Sequence, residues 1–220
     1  MGIALERRAV QQQKDTIKAV GIAIAHAETG ELWVNRELKD KPSTARKAGQ
    51  LTIPFETQKP DELIKATILG GLAEVFDDID NDGKPVMPDL SRKLFSVDAE
   101  YAATPEPFVF QHGGRDIQFD LAILIYDGPK DLNVSPHDSD EAYHVGWMPV
   151  DVFLAEDIRH SARIAVKEIA RAGMVDKRLS RYKSSPELRH PVITSDFSLR
   201  SFYAEREKKI DVGPIEVYHS

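Results

Sequence analysis

The longest apolar run in this chain, Leu121 to Tyr126, has the length of a strand. It falls far short of the roughly 20 residues that a membrane-spanning helix needs, so no membrane span is expected. The run completes a longer segment, Ile117 to Tyr126, which follows Phe108-Val109-Phe110 and the turn-forming pair Gly113-Gly114. Together these read as a hairpin whose second strand lies in the core, closed by Asp127-Gly128-Pro129. A second buried run, Ala19 to Ala25, is followed by Glu28-Thr29-Gly30-Glu31 and then Leu32-Trp33-Val34, so residues 19–36 read as another hairpin. The composition, 41% hydrophobic and 30% charged, suits a folded core and excludes a disordered chain. The absence of cysteine removes disulfides, thiolate zinc sites and a cysteine nucleophile together, and fits a cytoplasmic setting.

Between the hairpins, Leu51 to Phe55 reads as a short strand that Pro54 terminates or confines to an edge. Pro60-Asp61-Glu62 opens a helix, its acids complementing the positive end of the helix dipole. Ile64, Ile68, Leu72 and Val75/Phe76 give that helix one apolar face. Gly70-Gly71 inside it costs about 1 kcal/mol per glycine relative to alanine, which points to close packing against a strand or a ligand. Residues 84–107 read as irregular, 130–142 as an acidic loop, and Val145 to Met148 as a strand. Asp157 to Ala172 reads as the final helix, ended by Gly173.

The order of pieces divides the chain into an N-terminal helical extension (1–17), a main domain (18–183) and an extended C-terminal tail (184–220). Residues 1–15 hold no apolar stretch, so no secretory signal is expected. Strands on either side of one central helix, plus a terminal helix, indicate an α+β fold with a mixed sheet. The net charge is −7, with acidic residues prevailing up to residue 158 and basic ones from 159 to 209. Overall acidity argues against nucleic acid as the main partner.

This arrangement resembles the Nudix fold: a hairpin with Gly30 at its turn, a strand ending in Ile53-Pro54, an acid-bearing helix, a long core strand, and Trp147-Met148-Pro149-Val150-Asp151 before the last helix. The resemblance covers roughly residues 18–173. It implies an α/β/α sandwich with a mixed central sheet, and a metal-dependent pyrophosphohydrolase acting on a nucleoside diphosphate linked to another moiety. The family's box, G-x5-E-x7-R-E-U-x-E-E-x-G-U, is degenerate here. Without gaps, Glu62 takes the first glutamate and Gly70-Gly71 fall where Arg-Glu belongs, while Glu74 and Val75 take the Glu-Glu pair. Moved by three residues, Ala73 to Asp78 overlies R-E-U-x-E-E, and the arginine and the box glycine are replaced by Ala73 and Asp80.

In the second register Glu74, Asp77 and Asp78 share one helix face and are the expected metal and catalytic carboxylates. Oxygen donors of this kind suit Mg²⁺ or Mn²⁺, with waters and substrate phosphates completing the shell. The loop containing His137, Asp138, Asp140 and Glu141 offers Glu141 as a general base. Arg36, Arg46 and Phe55 are the candidate substrate-binding residues, with Arg159 and Arg163 as further anion-binding candidates. The altered box also supports an alternative: a catalytically inactive Nudix-fold nucleotide-binding or interaction module. Asp78 to Gly83 matches the first half of a calcium loop, although its twelfth position is Asp89, and the same residues suit a helix cap and turn. A small nucleotide-type ligand and a possible homodimer complete the expectations.

Overall fold

The computed structural model describes residues 16–42, 46–76, 93–97, 106–113, 115–130 and 142–193, the side chains of 73–76 excepted. Among these, nine strands form one mixed sheet. Its centre is β1 (Thr16–His26) paired in parallel with β7 (Arg115–Tyr126) along their whole common length, from Thr16 beside Asp116 to His26 beside Tyr126. The other edge of β1 is shared by β2 (Leu32–Glu37) and β4 (Phe55–Thr57), both antiparallel. β3 (Leu51–Thr52) and β8 (Ala142–Met148) pair with β2. β5 (Leu94–Ser96) and β6 (Phe108–His112) pair with β7, and β9 (His190–Pro191) pairs with β5.

The period of two along a strand sends alternate side chains to opposite faces. Val20, Ile22 and Ile24 of β1, with Ala122, Leu124 and Tyr126 of β7, meet α1 (Ile64–Phe76) through Ile68, Leu69 and Leu72. Ala23 and Ala25, with Phe119, Leu121, Ile123 and Ile125, face the opposite layer. That layer holds α2 (Val150–Ala155), α3 (His160–Ala172) and α4 (Met174–Ser184), whose Phe153, Ala162, Ala165, Val166, Ile169, Val175 and Leu179 are buried against the sheet. The result is the expected α/β/α sandwich with a mixed sheet. No helix among the described residues is long and apolar enough to cross a membrane.

Both hairpins form as read. Gly30, at φ 72°, donates its N–H to His26 O, and Gly113 takes φ 60° between β6 and β7. Those positive angles are where glycine avoids the Cβ penalty. Pro54 separates β3 from β4, yet its carbonyl still accepts from Ile22 N at 2.8 Å.

Three expectations need correction. The first helix starts at Ile64, after a turn in which Asp61 has φ 59°. Glu62 therefore lies ahead of the helix, its carboxylate accepting from Lys59 N at 3.2 Å and Thr67 Oγ1 at 2.9 Å. The helix that Gly173 ends is not the last, because the same left-handed glycine opens α4. Beyond residue 184 the chain does not leave the domain at once: β9 extends the sheet, and Val192 and Ile193 are buried on the α1 face.

Gly71 explains the glycine pair. A Cβ there would come within 2.8 Å of Ile22 Cδ1 and 3.0 Å of Glu56 Cβ. Gly71→Ala is expected to lower stability by about 1 kcal/mol, read as a fall in the urea midpoint. The helix-propensity gain of about 1 kcal/mol is smaller than the roughly 1–3 kcal/mol that overpacking costs.

Candidate functional site

At the end of the sheet where β1 and β7 begin, residues of one strand face surround a cavity of about 40 Å³. β1 contributes Ile17 and Ala19, β4 Phe55, β6 Phe110, and β7 Ile117 and Phe119. Phe119 is the hub of the wall: its ring stands edge-on to Phe55 at 5.3 Å and stacks on Phe108 at 5.0 Å. The first turn of α3 adds Arg159 and Ser161, and the segment after β2 adds Lys41 and Arg46. The Arg159 guanidinium sits 5.0 Å over the Phe55 ring, a cation–π contact.

Charge is organised around Glu37, the last residue of β2, whose side chain is 1% exposed. Arg159 Nη1 lies 3.1 Å from one carboxylate oxygen and Arg46 Nε 3.1 Å from the other. Arg46 and Arg159 thus share one buried carboxylate, and Lys41 stands beside them on the cavity wall. Backbone bonds hold the frame. Leu51 N donates to Asp157 O and Arg159 N to Leu51 O, tying α3 to β3, while Gly49 N donates to Glu37 O and returns the chain after β2. Glu56 also borders the cavity, but its Cβ and Cγ lie against Gly71 on the opposite face of the sheet.

Of the candidates taken from sequence, Arg46 and Phe55 meet in this cavity, and so does Arg159. Arg36 does not: its Nη1 donates to Gly49 O at 2.7 Å. Arg163 is engaged with the carbonyls of Leu154 and Glu156 at the α2–α3 junction. Asp77, Asp78 and Glu141 lie outside the described residues, as do the calcium-like segment 78–83 and Asp89. Glu74 is placed on α1 by its backbone alone.

Two carboxylates on the α1 side escaped the sequence reading. Glu56 on β4, Val20 on β1 and Asp120 on β7 form one row across three strands, with Lys18 close to Asp120. Burial raises the Asp120 carboxyl above its ordinary value, and Lys18 partly opposes that shift. The polar residues Gln118 and Asp120, set among apolar ones, were the local signal; the row itself depends on strand register. Among the described residues no group of three or more His, Cys, Asp or Glu could hold a metal ion.

No known family model matches this sequence, and no curated protein matches it either. Several solved structures are similar in shape. A MutT protein from Methanosarcina mazei has 16% identity over 72% of this chain and 95% of that one, with a TM-score of 0.44. A NUDIX hydrolase from Nitrosomonas europaea has 12% identity over 72% of this chain and 90% of that one, with a TM-score of 0.48. A C. elegans Ap4A hydrolase in a binary complex has 13% identity over 71% of this chain and 98% of that one, with a TM-score of 0.44.

Proposed function

We propose that this chain is a Nudix-type hydrolase cleaving a phosphoanhydride in a nucleoside diphosphate linked to another group. The observation that supports it is the cavity where Phe55, Phe110 and Phe119 stand beside Lys41, Arg46 and Arg159. Cations around a small aromatic-walled cavity suit an anionic group of the ligand, such as a phosphate. Glu74, Asp77 and Asp78 would hold Mg²⁺ or Mn²⁺, their carboxylates being the hard oxygen donors these ions take. When bound, such an ion supplies Lewis acidity at phosphorus and lowers the pKa of an attacking water. Glu141 would accept the proton of that water, Phe55 would contact the ligand, and Arg46 would offset phosphate charge. A cytoplasmic setting and a homodimer belong to the same proposal.

A second reading, a binding module without turnover, draws on Gly70-Gly71. In the ungapped register these occupy the Arg-Glu place of the box, and Glu56 fills the space beside Gly71.

A phosphate-release screen separates the two, run with Mg²⁺ and Mn²⁺ over ADP-ribose, dinucleoside polyphosphates, CoA and nucleoside triphosphates. Hydrolysis of at least one substrate is expected, falling by about 100-fold or more in Glu74→Gln. Binding without release would select the module. Turnover unchanged in Glu74→Gln would remove Glu74 from the mechanism.

A further inference from the structure

We infer that the cavity carries an oxyanion seat, built on the first turn of α3 and centred on the Ser161 hydroxyl, for a phosphate or carboxylate group of the ligand. This rests on the reading of the cavity as the ligand site, but not on hydrolysis. α3 is 13 residues long, and Arg159 at its N-cap makes no side-chain capping bond. The opening N–H groups of a helix have no intrahelical partners, and with the positive end of the dipole they favour an anion.

The second observation is independent of the first. Ser161 is 3% exposed, lines the cavity, and its Oγ is buried without a hydrogen-bond partner among the described residues. A buried hydroxyl left in that condition costs about 1–3 kcal/mol, and an anion accepting its proton would remove the penalty. The surroundings agree in sign. Lys41, Arg46 and Arg159 line the same space, with Glu37 beside the two arginines, and the stem of Glu56 runs to the other face of the sheet. The Phe55, Phe110 and Phe119 walls keep the local dielectric low, which strengthens each donor toward an anion. A volume of about 40 Å³ suits the tip of a ligand, one oxyanion group, and not its whole body.

The test uses the full chain in EDTA at fixed ionic strength, titrated by calorimetry with inorganic phosphate in one arm and acetate in the other. Saturable binding of at least one anion is expected, weakened about tenfold or more in Ser161→Ala and abolished in Ser161→Asp. Lys183→Ala, an exposed change on α4, is expected to leave it intact, and thermal melts of each variant report on folding. The proposal is overturned if neither anion saturates, or if Ser161→Ala binds as the parent does. Phosphate binding without substrate turnover would sink the hydrolase and spare the seat. Turnover combined with unaltered anion affinity in Ser161→Ala would do the reverse.

Discussion

Glu37→Gln is expected to destabilise the fold by about 3–5 kcal/mol. The Glu37 carboxylate faces Arg159 and Arg46 at 3.1 Å each, with side-chain exposures of 1%, 9% and 11%. An amide in its place takes away the charge that both guanidiniums share, at a point largely out of water. Most of the cost is the desolvation of those cations and not the loss of an attraction. A control follows from that reasoning. Glu37→Leu combined with Arg46→Met and Arg159→Met removes every member and is expected to recover most of the stability. Guanidinium-chloride unfolding of both proteins decides it. A Glu37→Gln loss below about 1 kcal/mol would mean that water reaches the cluster and screens it, as at an ordinary surface pair.

Acidification is expected to bring the second large effect, through His144. Its ring stacks on Trp33 at 3.5 Å between centroids, with 20° between the planes, and Trp33 is fully buried. Burial lowers the His144 pKa to about 4, against about 6.5 for a histidine in water. Between those values the unfolded chain binds a proton that the native chain refuses. Stability therefore declines as pH falls from about 6.5 to 4, and recovers as pH rises through the same window. The contribution is at most about 3 kcal/mol, since a tenfold change in proton affinity is worth about 1.4 kcal/mol. Denaturant unfolding at pH 7 and pH 4.5, compared between the parent and His144→Phe, isolates it from the carboxylates that titrate nearby. Phenylalanine keeps a flat ring against Trp33 and has no proton to gain. Equal acid losses in the two proteins would refute the assignment.

Sequence pattern alone was enough wherever the information is local. Turn chemistry at Gly30 and Gly113, the apolar runs of β1 and β7, the Pro54 interruption and the Gly173 stop are set by backbone preference and by neighbours a few residues apart. β5 and β9 left no trace, because strands of three and two residues carry too little periodicity to detect. α4 was missed for a related reason. Its segment is mostly polar, and the helical spacing of Val175, Leu179 and Tyr182 is a signal of only three residues.

The candidate site divides in the same way. Phe55, Arg46 and Arg159 could each be nominated by residue type. Glu37 and Ser161 could not, since an acid ending a strand and a serine opening a helix usually face water or cap their own backbone. Their meaning arises from the parallel pairing of β1 with β7 and the docking of α3 on β3, which bring together residues more than a hundred positions apart. Short-range torsional preference and hydrophobic period thus determine which pieces this chain makes. Burial against distant neighbours decides which charges are stripped of water, and that desolvation is what turns Glu37, Arg46, Arg159 and Ser161 into one chemical unit.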